Sequence, residues 1–264
     1  MALSQPDPAD LKQVAAWLNQ AKRVLFITGA GMSAESGLPT YRGVGGLYNQ
    51  PDTEEGLPIE TLLGGRMMRE RPETCWKYIG QIEAACRGAQ PNRGHEVIAQ
   101  IERLRPEVVV LTQNIDGLHS RAGSQEVIEI HGNLHRLRCT ECAWRDEVSD
   151  YADLCLPPKC TRCGALVRPD VVLFGEMLPT AAVQRYEREL RRGFDLVFTI
   201  GTTSVFPYIA EPVVRARRHG VPTVEINPDS TAVSERVDIQ ARTGAASFLA
   251  ALSDVLGGSD VLGG

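Results

Sequence analysis

No stretch of this chain approaches the roughly 18 consecutive apolar residues that a membrane-spanning helix needs. Its first ten residues, MALSQPDPAD, hold neither the basic run nor the apolar core of a secretory signal. A soluble, cytoplasmic protein that does not enter a membrane is therefore expected. Strong charge of either sign is also missing: 28 Lys and Arg stand against 33 Asp and Glu, a formal net charge of -5. That balance supplies no global basic field for nucleic acid. The short basic stretch LHRLRC is followed by Asp146, Glu147 and Asp150, so no nucleic-acid partner is expected. A basic substrate such as a lysine-rich tail would not be repelled. Seven cysteines, an odd count in a chain without a secretory signal, argue against a disulfide framework and for metal or free thiols.

What the sequence does hold is alternation. DLKQVAAWLNQA, residues 10–21, puts Leu11, Val14, Ala15 and Leu18 on one helical face, and RVLFITGAG follows at once. Val24–Thr28, Val108–Thr112 and Leu196–Ile200 are continuous apolar runs of the kind buried on both faces of a parallel sheet, with a fourth at Val221–Ile226. Helical patterns at 92–104 and 208–219 lie between them, which predicts an α/β fold with an open parallel sheet. Three runs end in polar turns, TGAG, TQNID and GTTS, and ligands of such sheets bind outside the carboxyl ends of the strands. Residues 45–88 and 138–168 break the alternation and read as insertions, the first helical or lid-like. The duplicated ending SDVLGGSDVLGG reads as a flexible tail, residues 253–264.

Cys139-x2-Cys142 and Cys160-x2-Cys163, 17 residues apart, have the spacing that brings four thiolates to one tetrahedral zinc. Four protein ligands leave no open position, so such a zinc is structural. Cys155, between the pairs and out of register, reads as a bystander, and Cys75 and Cys86 read as buried or idle thiols. Gly29-Ala30-Gly31-Met32-Ser33-Ala34 follows a strand and fits a loose dinucleotide turn, in which backbone N–H groups meet a diphosphate, although a plain tight turn looks alike. The acidic residue that a hydride-transfer enzyme places about 20 positions later is absent, which disfavours that chemistry. Gln113, Asn114 and Asp116 at a strand end can hold a carboxamide and ribose hydroxyls, or form a structural Asx-turn. His131 and His135 are candidate general bases, though a histidine at random is more often packed or exposed.

Together these segments resemble the sirtuins, NAD-dependent protein-lysine deacylases. GAGMSAESGLP resembles their cofactor loop, TQNID their nicotinamide-site motif, and HGNLHRLRC their catalytic histidine followed by the zinc module. RPDVVLFGEMLP resembles their substrate segment, and GTTS and EIN their later ribose and adenine contacts. The resemblance spans about residues 11–250 and implies a Rossmann-like large domain (1–44, 89–137 and 169–252) with a small domain from the helical and zinc-ribbon insertions. It implies NAD consumed as co-substrate, one structural zinc, and an acyl-lysine protein or peptide as partner. An acyl oxygen attacks the nicotinamide ribose, nicotinamide leaves, and the acyl group ends on ADP-ribose.

The resemblance makes His131 the base and gives Asn114 and Asp116 catalytic positions. Cofactor contacts fall on Gly29, Ala30, Gly31, Ser33, Ala34, Tyr41, Arg42, Gln113, Ile115, Gly201, Thr202, Thr203, Ser204 and Asn227. Val171, Val172, Phe174, Gly175, Glu176 and Tyr78 are the implied substrate residues, with 171–173 read either as a strand pairing with the substrate backbone or as an interior strand. The sequence departs from the family at Pro39-Thr40-Tyr41-Arg42, where many members read Pro-Asp-Phe-Arg, and at Tyr208 and Ile209, where many carry alanines. Members that remove acidic acyl groups carry Tyr-x-x-Arg where this chain reads Tyr78-Ile79-Gly80-Gln81, which favours a short neutral group such as acetyl, unless Arg66 or Arg69 substitutes. ADP-ribosyl transfer to protein and a non-catalytic NAD-sensing zinc module are the rival readings. The sequence sets no oligomeric state and is compatible with a monomer.

Overall fold

The computed structural model describes residues 4–39 and 53–257. Helix α1 (Pro8–Gln20) is capped by Asp7, whose carboxylate accepts from the Ala9 N–H at 2.8 Å, while Pro8 fills a first-turn position that needs no N–H. It leads into β1 (Arg23–Thr28), buried from Val24 onward. Then come α2 (Ile59–Leu62), α3 (Gly65–Glu70), α4 (Pro72–Cys86), α5 (Arg93–Leu104), β2 (Glu107–Thr112), α6 (Leu118–Arg121) and β3 (Val127–Glu129). The cysteine region contributes β4 (Gly132–Cys139), β5 (Arg145–Glu147) and β6 (Val167–Val171). The chain closes with α7 (Thr180–Arg192), β7 (Leu196–Ile200), α8 (Pro207–Arg218), β8 (Thr223–Ile226), β9 (Ile239–Ala241) and α9 (Ala245–Gly257).

Six parallel strands form the main sheet in the order β3-β2-β1-β7-β8-β9. Strand order runs outward in opposite directions from β1 and β7, so the crevice at their carboxyl ends is the topological switch point where α/β sheets take ligands. Alternate residues serve opposite faces. Val24, Phe26, Val108, Val110, Phe198 and Val224 pack under α1, α5 and α9, with Phe26 stacked on Phe198 at 4.6 Å. Leu25, Ile27, Val109, Leu111 and Val197 pack against Tyr186 of α7 and against Ile209 and Val213 of α8. Coverage of both faces explains the unbroken apolar runs.

A second, antiparallel sheet has the order β5-β4-β6. Its inner residues Leu134, Leu137 and Val167 share one core with Ile59, Leu62, Met68, Trp76 and Ile79 of α2, α3 and α4. The Trp76 indole N–H donates to the Val167 carbonyl at 3.1 Å, so the two irregular segments, far apart in sequence, pack as one body.

Several boundaries differ from the sequence reading. Divisions placed at 137/138 and 168/169 fall inside β4 and β6, because the strand that carries the first cysteine begins at Gly132. Residues 253–257, expected as tail, continue α9, since Leu252 and Leu256 are buried on the sheet. The fourth apolar run pairs only from Thr223: Pro222 has no N–H to give a ladder, although its carbonyl accepts from Val197 at 3.1 Å. Edge strands β3 and β9, three residues each, are too short to show a period.

Candidate active site

The turns after β1 and β7 meet backbone to backbone. The Gly29 N–H donates to Ile200 O at 3.0 Å and the Gly31 N–H to Gly201 O at 2.8 Å. A Cβ on Gly31 would lie 2.6 Å from Gly201 Cα, and one on Gly201, where φ is +59°, would lie 2.4 Å from Gly31 C and Met32 N. Glycine is therefore required for contact as well as for conformation. Among the described residues, no α-helix directly follows this turn: Ala30–Met32 and Ala34–Ser36 are single 3-10 turns, ended by Gly37 at φ +81°. Loop backbone stands where a dinucleotide turn ordinarily has a helix N-terminus, and Glu35 fastens it to α9 through the Ala246 N–H (2.6 Å) and the Ser247 hydroxyl (3.0 Å).

TQNID crosses directly over these turns. Asn114 Nδ2 donates to Gly29 O at 3.0 Å and to Ser33 Oγ at 3.1 Å, and Ser33 Oγ donates to Asp116 Oδ2 at 2.7 Å. Asp116 Oδ1 accepts from the Leu118 N–H at 2.9 Å. Burial raises the Asp116 carboxyl above its ordinary value, opposed by the Leu118 N–H and the Ser33 hydroxyl. Gln113 Nε2 donates to Thr202 Oγ1 at 2.8 Å and to Thr28 O at 3.3 Å, leaving its amide oxygen as an acceptor. Asn227 Nδ2 holds Thr202 O at 3.0 Å, and Thr203 O accepts from Ala232 N. Ser204, at φ +54°, bonds Thr199 Oγ1 through its hydroxyl at 3.2 Å. Ile115 packs toward the second core and its carbonyl accepts from Leu134 N. One hydrogen-bond network thus joins residues 29–33, 113–116, 202 and 227 at the switch point. Tyr41 and Arg42 lie outside the described residues.

His131 stands between β3 and β4 at the edge of this network. Its Nδ1 is 2.9 Å from the Gln113 carbonyl, which only accepts, so Nδ1 carries the proton and Nε2 the lone pair. Burial pushes the imidazole below its ordinary value, and the Gln113 carbonyl opposes the shift. A half-buried, neutral ring of fixed tautomer is the state a general base needs. His135 lies four positions on in β4, and its Nδ1 is buried without a partner among the described residues. Sequence reasoning passed over His95 and His119, a buried pair with ring centroids 4.8 Å apart. His119 Nε2 lies 3.0 Å from Thr28 Oγ1, directly under the network, and the letter was visible in TQNIDGLH.

The segment after β6 is bound into the protein more tightly than expected. The Val172 N–H donates to His131 O at 2.9 Å, the Phe174 N–H to Leu63 O at 3.0 Å, and Phe174 O accepts from Gly65 N at 3.0 Å. Those groups are not open to an added strand. Glu176 turns inward, clamped by buried Arg168 at 2.6 and 2.8 Å and accepting from the Leu173 N–H at 3.0 Å. It is an internal tie and not an exposed contact. Val171 is buried, whereas Phe174 and Gly175 are exposed. Tyr78 is buried in the core shared with Val171 and Leu173, with its hydroxyl on Glu55.

Cys139, Cys142, Cys160 and Cys163 bring their sulfurs within 4.8 Å of one another, with closest pairs at 3.5 Å (Cys139 to Cys163) and 3.7 Å (Cys142 to Cys160). A tetrahedron of Zn–S bonds near 2.3 Å has edges of roughly 3.8 Å, so the residues fit the ion. The two turns are equivalent: Glu141 N–H donates to Cys139 Sγ and Arg162 N–H to Cys160 Sγ. Cys155 is exposed and outside the cluster, while burial pushes the Cys75 and Cys86 thiols up to about 12, the range of idle groups.

A parallel α/β sheet with a glycine-walled crevice, a histidine of fixed tautomer at its rim and a four-cysteine module hung from the strand after that histidine defines the class of NAD-consuming Sir2-type proteins. The Sir2 family pattern matches residues 29–207, and the chain belongs to that family. It is 54% identical over 230 residues to an NAD-dependent protein deacylase of Pseudomonas aeruginosa, covering 86% of this chain and 90% of that one. A solved Sir2 homologue in complex with NAD superposes with a TM-score of 0.83 at 36% identity, covering 94% of each chain. A Sir2 structure with a p53 peptide and NAD gives 0.80 at 28%, covering 94% of this chain and 98% of that one. Among the described residues, no helix is long and apolar enough to cross a membrane.

Proposed function

We infer that this chain is an NAD-dependent protein-lysine deacylase that prefers a short neutral acyl group, acetyl first. The observation that carries the reading is the convergence of Ser33, Gln113, Asn114, Asp116, Thr202 and His131 in one network at the sheet's switch point. Family membership and the deacylase relatives support it. The glycine turns at 29–31 and 201 let a diphosphate approach backbone N–H groups. Asn114 and Gln113 each spend their amide N–H groups inward, which leaves their side-chain oxygens to accept from ribose hydroxyls or a carboxamide. Nicotinamide leaves with the electron pair of its glycosidic bond as the acyl oxygen bonds the anomeric carbon. His131 Nε2 then accepts a proton from a ribose hydroxyl, whose oxygen takes the acyl carbon. Hydrolysis frees the lysine amine and leaves the acyl group on ADP-ribose.

The small sheet with α2–α4 and the main sheet act as two modules, and the cysteines, two of which belong to the small module's core, hold one structural zinc at its edge. That ion fixes the strand that begins at Gly132, one residue after the base. Acetyl preference rests on charge. Gln81 is exposed and neutral, Arg66 is paired with Glu70 on the surface, and Lys77 is held by Glu54 and Glu55. Arg66 and Lys77 thus already have carboxylate partners, which leaves Arg69, exposed on α3, as the cation to substitute in testing the preference. Mass spectrometry of matched acetyl- and succinyl-lysine peptides with NAD tests it: the acetyl peptide is expected to turn over faster by at least tenfold. Faster desuccinylation would refute the preference. ADP-ribose mass appearing on protein without deacylation would move the chemistry to ADP-ribosyl transfer.

A further inference from the structure

His131 has one nitrogen left for base catalysis, and in the free protein it is already engaged: Nε2 lies 2.7 Å from the Tyr208 hydroxyl. Because Nδ1 holds the proton against Gln113 O, the hydroxyl donates and the Nε2 lone pair accepts. The tyrosine is built into place. Its carbonyl accepts from the Tyr186 hydroxyl at 2.7 Å, its ring stacks on Phe206 at 5.5 Å and 16°, and Pro207 sets the first turn of α8 beneath it. The imidazole stands edge-on to both rings, at 6.4 Å from Phe206 and 6.2 Å from Tyr208. Phe206 is 44% exposed and Tyr208 is only half-buried, so the pair has solvent on one side into which to turn. Its neighbour Ile209, the other bulky departure from the family pattern, is fully buried in the sheet core and serves packing.

We propose that Tyr208 is a positioning residue that occupies the base nitrogen of His131 in place of the substrate ribose hydroxyl, and that the cofactor must displace it to react. The proposal rests on the deacylase reading. A lone pair that accepts from Tyr208 cannot also take a ribose proton, so displacement is an energetic step in cofactor binding. It keeps the ring aligned and its nitrogen covered while the site is empty, at a cost in affinity. The net strength of one such bond over its replacement by water corresponds to roughly two- to tenfold in binding.

The test is Tyr208→Phe, which keeps the ring and its stacking and removes only the hydroxyl. Calorimetric titration with ADP-ribose and with NAD is expected to show binding tightened by roughly two- to tenfold, and in turnover the gain appears in KM for NAD and not in kcat. Nitrogen NMR of the free protein is expected to show the His131 Nε2 resonance moving in the variant while Nδ1 stays. Unchanged affinity, or an unmoved Nε2 resonance, would overturn the proposal. Weakened affinity would overturn it too, by making the hydroxyl a ligand of the ribose instead of its competitor. A wild-type protein that binds ADP-ribose and turns over while the variant matches it removes this proposal alone. A wild-type protein that neither binds ADP-ribose nor releases nicotinamide removes the deacylase reading with it.

Discussion

Adding one methyl group at Gly31 should dismantle the cofactor crevice. An alanine Cβ there would sit 2.6 Å from Gly201 Cα and 3.1 Å from Gly201 O, against an ordinary contact of 3.4 Å or more. The two loops must part by about 0.8 Å, the difference between 2.6 and 3.4 Å, and neither side can yield by rotating a side chain because both are backbone. Overpacking of this kind costs on the order of 1–3 kcal/mol. The larger effect is geometric. The Gly31 N–H to Gly201 O bond fixes where Thr202 presents its hydroxyl to Gln113, and a misplacement of about 1 Å can cost on the order of 100-fold in rate. Gly37→Ala is the control, since its Cβ would meet nothing within 4 Å and the φ of +81° alone imposes strain of about 1–2 kcal/mol. Thermal melts and NAD titration on both variants separate the effects. Both should lose stability, but only Gly31→Ala should lose cofactor affinity and turnover by tenfold or more. Wild-type affinity in Gly31→Ala would refute the reasoning, because it would mean the loops can separate without consequence.

Arg168, buried and clamped to Glu176, predicts that Glu176→Ala destabilises by about 3–5 kcal/mol by stranding the guanidinium, read as a shift in urea midpoint; a loss under about 1 kcal/mol would contradict it. Burial lowers His95 from 6.5 to about 4 and lowers His119 well below its ordinary value. The unfolded chain therefore binds protons near 6.5 that the folded one refuses, so this stability is complete above that pH and is lost as pH falls toward 4. His95 alone accounts for about 2 kcal/mol of loss by pH 5, and His95→Gln should flatten urea stability between pH 7 and 5 if the reasoning holds. Because burial also lowers His131, the acid limb of kcat/KM should fall below pH 6.5, and a limb above 7 would contradict its environment. Chelation, or Cys160→Ser, should release one zinc per chain and disorder the core around Trp76 and Tyr151, seen as lost near-ultraviolet dichroism.

Much of this was readable from letters alone, for physical reasons that differ by element. Strands β1, β2 and β7 are buried on both faces, so their unbroken apolar runs announced a covered parallel sheet. The cysteines were legible because tetrahedral thiolate binding imposes their spacing. The short strands β3 and β9 carry no period to detect, and β4 was cut because its burial alternates irregularly through the register shift between Asn133 and Leu137. The resemblance implied Glu176 as a substrate residue, and its tie to Arg168 across a tight turn is a pairing that composition does not reveal. Likewise, the bulk of Tyr208 stood out, but its hydrogen bond to His131 spans 77 positions and needed the fold to appear.

His131 performs chemistry while the cysteines hold structure. The most direct measurement is mass spectrometry of an acetyl-lysine peptide incubated with NAD and either wild-type protein or His131→Ala, with zinc content and melting temperature recorded on the same samples. Nicotinamide and O-acetyl-ADP-ribose formed by the wild type, and lost by at least 100-fold in a variant that keeps its zinc and its melt, is the predicted result. Turnover that survives in His131→Ala would contradict it. So would a variant that loses zinc and folding together with activity.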